Sequence, residues 1–327
     1  SSLKILIYSQ QGEVGGSTRL LLNLARFLGA DHTVFVALAG TSTPHATAAL
    51  LQHFADVKRM PVAVREINDA GFDLALLHMP FSMEPLNLIT IPRKVAVLME
   101  MVALHPIPLR EEQCEQVERI LYLHPEQVEH LSTDLRETKC ELLPIINNID
   151  FEPVYAKTGY LGAVGGAHKT GVEQALRFVA ALPPDKGLRI WSGRKLTLGG
   201  LPSPLVPEAL ASIGSGRLVG LPVELDMREL MGSYDTLLHL PRHGNGTSVV
   251  ISDALYCGKQ VILSPLPAYK QAFGGMEGVL FSNAPIDELV KAIVQWGEPE
   301  FARISQAYRA AYDRGQVLQH CRRVLED

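Results

Sequence analysis

The fold is decided by residues 4–38, which read KILIYSQQGEVGGSTRLLLNLARFLGADHTVFVAL. Two short apolar runs, KILIY (4–8) and VFVAL (34–38), enclose a helical pattern whose apolar residues share one stripe: Leu20, Leu21, Leu24, Phe27 and Leu28. Continuous apolar runs indicate strands buried on both faces, and a helix with one apolar stripe packs on a sheet. The stretch therefore predicts a βαβ unit with parallel strands.

The same alternation continues along the chain and restarts once, after a polar stretch that contains Pro153. Strands are predicted in the first half at DLALLH (73–78), KVAVLM (94–99), RILYL (119–123) and ELLPII (141–146), and in the second at YLGAVG (160–165), LRIWSG (188–193), GRLVG (216–220), DTLLHL (235–240), KQVILS (259–264) and GVLF (278–281). The pattern predicts an α/β protein with two Rossmann-like domains that face each other across a cleft. We expect the domains at 1–152 and 153–301, and a helical tail at 302–327 that packs back on the first domain.

Composition narrows the class of protein. The chain has 327 residues, 47% hydrophobic and 20% charged, which predicts two globular units. A formal net charge of −5 argues against a nucleic-acid partner. Four cysteines without CxxC spacing predict reduced thiols in a cytoplasmic protein. We expect no signal peptide and no membrane span, and peripheral membrane contact stays open as an alternative.

A first glycine loop follows the first predicted strand and contains Gly12, Gly15 and Gly16. Backbone without side chains can approach an anion at the start of a helix, so the loop predicts contact with a phosphate or a sugar. The alternative is a glycine turn that only closes the connection between strand and helix. A dinucleotide dehydrogenase fits worse, because GxGxxG is absent and no acidic residue ends the second strand.

The second half opens with GAVGGAHKT (162–170), which differs from an ATP-binding P-loop because His168 precedes Lys169. Lys169 could supply a cation to a diphosphate, or it could be a solvated surface lysine. The same two alternatives hold for Arg194 and Lys195 after the next strand.

The densest motif is PRHGNGTSVVISDALYCGKQVI (241–262), in which a strand leads into a glycine-rich loop, a helix and another strand. The amides of Gly246, Thr247 and Ser248 would lie at the helix N-terminus, where free N–H groups and the helix dipole favour a phosphate.

These residues resemble the GT-B glycosyltransferases, and specifically retaining glycosyltransferase family four (glycosyl transferases group one). DALYCGKQVI (253–262) is similar to the second half of that family's donor-binding segment, E-G-F-G-L-x-x-x-E-A-x-A-x-G-x-P-V-I. GGSTR (15–19) is similar to its first glycine loop, Asn148-Ile149-Asp150 to its N-G-[IV]-D segment, and residues 216–241 to its base-binding region.

The chain departs from the family pattern at three places. The paired glutamates become Asn245 and Asp253, a common arginine of the second half appears as Gly166, and the histidine after the fourth strand is replaced by Glu100. The resemblance implies that Asp253 accepts ribose hydroxyls and that Asn245 contacts the donor sugar, to which it can both donate and accept.

The resemblance implies a hexosyltransferase-like enzyme that transfers a sugar from a nucleoside-diphosphate sugar, with retention and without a metal. No cofactor other than the donor substrate is expected, and the acceptor is a glycan, a lipid or a small molecule. The predicted catalytic residues are Asn245, Lys169 and Glu100, and the predicted donor-binding residues are Gly15, Gly16, Gly166, Arg194, Gly246, Thr247, Ser248 and Asp253.

Two alternatives to transfer stay open. A nucleotide-sugar epimerase or hydrolase shares this fold, and the altered glutamate pair also suits a binding module without catalysis. His78, His105, His124 and His243 lie on different predicted elements, so we expect structural histidines and no metal site.

Overall fold

The computed structural model describes residues 1–100, 102, 106–143, 145–164, 172–191, 201–221, 226–241 and 249–326. The chain divides into two compact units, one with residues 1–146 and 314–327, the other with 147–242 and 250–313. Each unit is built on one parallel sheet.

The first unit has a seven-stranded sheet of order β3-β2-β1-β4-β5-β6-β7. Its strands are β1 (Lys4–Ser9), β2 (Thr33–Leu38), β3 (Lys58–Arg59), β4 (Leu74–His78), β5 (Arg93–Leu98), β6 (Arg119–Tyr122) and β7 (Cys140–Leu142). Its first helices are α1 (Gly16–Leu28), α2 (Pro44–His53), α3 (Val64–Asp69), α4 (Glu84–Leu88) and α5 (Thr133–Lys139), with 3-10 turns at Glu111–Gln116 and Pro125–Gln127.

The second unit has a six-stranded sheet of order β10-β9-β8-β11-β12-β13. Its strands are β8 (Tyr160–Val164), β9 (Gly187–Trp191), β10 (Leu218–Leu221), β11 (Thr236–His239), β12 (Gln260–Leu263) and β13 (Val279–Phe281). Its helices, with a 3-10 turn at Ser203–Leu205, are α6 (Val172–Ala181), α7 (Val206–Gly214), α8 (Met227–Met231), α9 (Val249–Tyr256), α10 (Pro267–Phe273), α11 (Ile286–Trp296) and α12 (Phe301–Ala311). The last helix, α13 (Arg314–Glu326), belongs to the first unit.

The βαβ unit predicted from residues 4–38 is confirmed. Ile5, Leu6 and Ile7 are at most 1% exposed, as a central strand covered on both faces requires. The apolar stripe of α1 is buried at Leu20, Leu21, Leu24 and Leu28. The α/β class, with two Rossmann-like halves, is confirmed by the two sheets, in each of which the strand order reverses beside the first strand.

Three details differ from the sequence predictions. β3 is a pair of exposed residues with no apolar pattern, and β7 ends at Leu142 instead of Ile146. The division between units falls after Ile146 instead of residue 152. Hydrogen bonds from Asn148 to Asp253 explain the last difference, because they tie the residues after Ile146 to the second unit.

The C-terminal tail is two separate pieces. α12 belongs to the second unit, where Ile304 and Tyr308 enter the hydrophobic core. α13 belongs to the first unit, where Arg322 pairs with Asp31 at 2.6 Å and Arg93 donates to the carbonyl of Leu325 at 3.1 Å. The expected tail of 302–327 therefore returns to the first unit only from residue 314.

Within the described parts of the chain, no helix is both long enough and apolar enough to cross a membrane.

Candidate functional site

The carboxyl edge of the first sheet brings three polar side chains together. Ser9 and His78 are directly paired at the ends of β1 and β4, and Glu100 follows the neighbouring strand β5 by two residues. β1 and β4 flank the point where the strand order reverses, which is the usual ligand site of an open parallel sheet.

These side chains form one hydrogen-bonded line. The Ser9 Oγ lies 2.7 Å from His78 Nδ1, and His78 Nε2 lies 2.5 Å from Glu100 Oε1. Ser9 and the imidazole of His78 are almost completely buried, whereas the Glu100 side chain is 18% exposed. Glu100 is therefore the member of the line that a ligand can reach.

The main chain of Glu100 is held as well. Gln127 donates from Nε2 to the Glu100 carbonyl at 2.9 Å, and its Oε1 accepts from the amides of Leu123 and His124. Among the described residues, Glu100 Oε2 has no hydrogen-bond partner. Within the described part of the chain, one carboxylate oxygen is thus available on a residue that is held at its other oxygen and at its carbonyl.

A short loop after β4 is fixed at the same edge. The Gln10 Oε1 accepts from the amides of Phe81 and Ser82, and its Nε2 donates to the Ser82 carbonyl at 2.9 Å. The ring of Phe81 is nevertheless 66% exposed. A braced loop that presents an open aromatic ring is suited to contact a ligand with an apolar face.

The first glycine loop is ordered by Glu13. Its carboxylate accepts from the hydroxyl of Thr43 at 2.7 Å and from both the amide and the hydroxyl of Ser42. The Thr43 hydroxyl, followed by the two Ser42 donors, lowers the pKa of Glu13 to about 2. Gly12 is required by packing, because a Cβ there would collide with the carbonyl oxygen of Ala39.

Gly15 and Gly16 have no such packing reason. Gly15 is the residue before α1, Gly16 is its first residue, and a Cβ at either position would meet nothing within 4 Å. Gly15 has an extended φ of 176°, which any residue adopts. The space beside them is compatible with the predicted ligand contact, which stays a prediction.

In the second unit, Asp253 connects the motif at 241–262 to the segment Asn148-Ile149-Asp150. Its Oδ1 accepts from the Asn148 amide at 2.7 Å and its Oδ2 accepts from Asn148 Nδ2 at 3.0 Å. Asp253 is 2% exposed. Each carboxylate oxygen has a second lone pair, so the predicted ribose contact stays a prediction, but part of the carboxylate already holds the chain at Asn148.

Helix α12 supports this junction from the outside. Ser305 donates to the Tyr256 carbonyl at 2.6 Å, and the Tyr308 hydroxyl hydrogen-bonds with Ser252 and Asn147. Burial raises the pKa of Tyr308, so its hydroxyl keeps its proton at neutral pH. The junction is therefore built by α9, α12 and the residues that follow Ile146.

Most predicted donor contacts lie outside the described residues: Gly166, Lys169, Arg194, Asn245, Gly246, Thr247 and Ser248. In the chain they come soon after β8, β9 and β11, and β8 and β11 are adjacent where the second sheet reverses its order. His239 ends β11, and its Nε2 lies 3.1 Å from the Tyr269 hydroxyl.

Sequence reasoning missed how these residues combine. It treated His78 as a separate structural histidine and did not name Ser9, Gln10 or Gln127 as site residues. A usable signal existed, since Ser9 and His78 each end an apolar run and such ends meet at one edge of a parallel sheet.

Among the described residues no group of three or more His, Cys, Asp or Glu side chains could hold a metal ion.

The chain matches no protein-family model and is similar to no curated protein in sequence. Its structure is similar to that of Anabaena HepE in complex with UDP-glucose, at 16% identity over 99% of both chains with a TM-score of 0.71. A Staphylococcus aureus TarM variant in complex with fondaparinux, α-GlcNAc-glycerol and UDP has 8% identity over 99% of this chain and 100% of that chain, with a TM-score of 0.72. Sucrose-phosphate synthase from Thermosynechococcus elongatus has 12% identity over 98% of both chains and a TM-score of 0.66.

These likenesses extend over nearly the whole chain and include both sheets. The chain therefore has the fold of the GT-B glycosyltransferases, as its sequence motifs predicted.

Proposed function

We propose that this chain is a glycosyltransferase that moves a sugar from a nucleoside-diphosphate sugar to the hydroxyl of an acceptor. The observation that carries the proposal is the full-length structural likeness to HepE, whose structure holds UDP-glucose. The resemblance of residues 241–262 to a donor-binding segment supports it independently.

In the proposed reaction, the acceptor oxygen forms a bond to the anomeric carbon of the donor. The bond between that carbon and the diphosphate breaks, both electrons leave with the diphosphate, and the acceptor proton passes to it. The negative charge that develops on the diphosphate would be stabilised by Lys169, Arg194 and the amides of residues 246–248, together with the first glycine loop at Gly15 and Gly16. Gly166 would allow the backbone to approach the donor closely.

Asp253 would contact the ribose and Asn245 the donor sugar. Asn245, Lys169 and Glu100 would be the catalytic residues. We propose retention at the anomeric carbon, no metal and no further cofactor, as the family resemblance implies. The acceptor is a glycan, a lipid or a small molecule, and the reaction takes place in the cytoplasm, with or without peripheral contact to a membrane.

A thermal-shift panel of nucleoside diphosphates and their sugars, beginning with UDP and UDP-glucose, tests the proposal. A ligand at 100 times its dissociation constant stabilises the native state by about 2.7 kcal/mol, which is a readily measured shift. Absence of stabilisation by every nucleotide and nucleotide sugar would contradict it.

Product analysis by anomeric NMR then separates the remaining alternatives. Transfer with retention gives a glycoside whose anomeric configuration equals that of the donor, and added EDTA leaves the rate unchanged. A free sugar or an epimerised donor as the sole product indicates a hydrolase or an epimerase.

A binding module without catalysis is the second candidate. It is favoured by Asn245 in place of a glutamate and by the hydrogen bonds that tie both oxygens of Asp253 to Asn148. Such a module would be stabilised by UDP-glucose and would form no product from it.

A further inference from the structure

The line of Ser9, His78 and Glu100 is arranged unlike a simple core network. Buried polar groups require partners, and here the partners run from the inside of the sheet to its carboxyl edge. The two inner groups are satisfied, while the outer carboxylate keeps one oxygen without a partner among the described residues. A network that served packing alone would gain nothing from an outward oxygen.

We propose that Glu100 binds a hydroxyl group of a neutral sugar acceptor, and that His78, backed by Ser9, is the positioning residue that holds its carboxylate. The proposal rests on the proposed glycosyltransferase function, since it names the acceptor class of that reaction. It concerns the first unit alone.

The carboxylate of Glu100 indicates which nitrogen of His78 faces it with a proton. Ser9 Oγ accepts from the Gln11 amide at 3.1 Å and lies within hydrogen-bond distance of both the Gln11 carbonyl, at 3.0 Å, and His78 Nδ1, at 2.7 Å. The direction of the bond between Ser9 and Nδ1 therefore depends on the tautomer. A carboxylate oxygen accepts, so in its bond with Glu100 Oε1 the His78 Nε2 is the donor.

A carboxylate selects its ligand by charge. A sugar hydroxyl donates to the open oxygen and gains a charge-assisted hydrogen bond. A phosphate or a carboxylate at the same place would be repelled, and the repulsion is stronger at a partly buried site than in water. The site therefore fits a neutral polyhydroxyl compound.

The exposed Phe81 offers an apolar surface at the same edge of the sheet. It stands three residues after His78, on the loop that Gln10 braces from the end of β1. A pyranose ring presents C–H groups on its faces and hydroxyls at its rim, so an aromatic ring and a carboxylate together match both parts.

Glu100→Gln is the first test, because it keeps the shape and removes the charge. The acceptor probes are p-nitrophenyl β-D-glucoside, which is neutral, and p-nitrophenyl β-D-glucuronide, which carries a carboxylate, with UDP-glucose as donor. We expect the wild type to use the glucoside and to discriminate against the glucuronide. In the variant the glucoside KM should rise about tenfold or more, and the discrimination should fall by a similar factor.

His78→Gln and His78→Asn test the positioning role. A glutamine amide lies near the place of Nε2 and can still donate to Glu100, whereas an asparagine amide lies near Nδ1 and reaches only Ser9. Both remove the same buried ring, so a structural role predicts equal losses. We expect His78→Gln to retain an acceptor KM near that of the wild type and His78→Asn to raise it about tenfold, with UDP affinity unchanged in both.

His32→Gln is the matched control in the same unit. His32 is also a buried histidine, paired with Glu326 at 2.8 Å, and its Nδ1 accepts from the Leu3 amide before β1 begins. It should lower thermal stability without changing the acceptor KM. Glu100→Gln tests the carboxylate even if both His78 variants fail to fold.

The outcomes separate this inference from the proposed function. If the wild type binds neither UDP nor UDP-glucose, the proposed function fails. If it binds UDP-glucose but prefers the glucuronide, or neither binds nor glycosylates the neutral glycoside, the acceptor inference is overturned. Equal acceptor KM values in His78→Gln and His78→Asn overturn the positioning role.

Discussion

At the scale of single residues, Asp253 makes hydrogen bonds within the fold at a position for which the family resemblance implies a ligand contact. Its two oxygens hold the amide and the side chain of Asn148, 105 positions earlier in the chain. The length of aspartate, one methylene shorter than the family's glutamate, keeps the carboxylate close to the helix from which it projects. Asp253 therefore makes an internal contact at a position where the family resemblance implies a ribose contact.

Asp253→Ala should lower both stability and nucleotide binding. It leaves the Asn148 amide and Nδ2 without their acceptor, which should cost about 1–3 kcal/mol in the free energy of unfolding. If Asp253 also holds the ribose, the preference for UDP over 2′-deoxy-UDP should disappear in the variant, as measured by calorimetry. An unchanged preference would show that Asp253 acts only within the fold. Asp253→Asn, which keeps one acceptor oxygen, is the control.

At the scale of elements, the connections between strands and helices are determined by close backbone contacts. Gly258 connects α9 to β12 with a φ of 78°, and a Cβ there would collide with the carbonyl oxygen of Phe301 at the start of α12. The glycine that matches the family motif therefore has a packing role in this chain.

Gly258→Ala should destabilise the protein by about 2 kcal/mol or more, because it adds steric strain from the left-handed backbone to the collision. Gly275→Ala separates the two causes. Gly275 has a similar φ of 73°, but a Cβ there meets nothing within 4 Å. Denaturant unfolding should give a clearly smaller loss for Gly275→Ala, and equal losses would mean that the contact with Phe301 is unimportant.

Glu13 makes the connection between the first glycine loop and the loop before α2 dependent on pH. Its pKa is lowered from an ordinary value of 4.5 to about 2 by the donors of Thr43 and Ser42. A lowered pKa in the folded state contributes stability above about pH 4.5 that is lost as the pH falls toward about 2. The contribution is reduced by solvent, since the Glu13 side chain is only partly buried.

The melting temperature of Glu13→Gln should therefore fall less than that of the wild type when the pH is lowered from 5 to 3. The exposed Glu66 on α3, replaced by Gln, is the control and should follow the wild type. Hydrogen exchange of residues 12–18 at neutral pH should increase in Glu13→Gln. Parallel acid profiles for wild type and Glu13→Gln would contradict this role.

At the scale of the whole molecule, the chain ends in the unit in which it begins. α13 buries Cys321, Val324 and Leu325, and its polar side chains contact residues 31, 32 and 142 of the first unit. The first unit is therefore built from two parts of the chain that lie far apart in the sequence.

Leu325→Ala should destabilise the first unit by about 2–5 kcal/mol, because it leaves a cavity at a side chain that is 1% exposed. Hydrogen exchange should accelerate in β2 and β5 and stay nearly unchanged in β12. Leu289→Ala, at a leucine 2% exposed in the second unit, should give the opposite pattern. Both tryptophans, Trp191 and Trp296, lie in the second unit, so their fluorescence reports on that unit alone. Equal acceleration in both units by either variant would contradict the division.

The sequence by itself determined the local elements and, through them, the class of fold. Runs such as KILIY and the stripe of α1 lose contact with water only in a buried strand and a packed helix, so their pattern predicts structure without knowledge of distant residues. The restart of this pattern after Pro153 predicted two parallel sheets, and the glycine-rich segments predicted where ligands would approach. β3 gave no such signal, because its two exposed residues are ordered only by the neighbouring strand β2.

Only the tertiary structure decided which polar residues meet. Ser9 and His78 are 69 positions apart and His78 and Glu100 are 22 apart, and nothing in either local pattern specifies the partner. Strand register and the reversal of strand order bring them to one edge, as the packing of α9 brings Asp253 to Asn148. The division of the tail between α12 and α13 has the same origin, since both helices have apolar faces and only the available surfaces determine which unit each one covers. Local hydrophobicity determines which residues are buried. Three-dimensional packing determines which residues they are buried against.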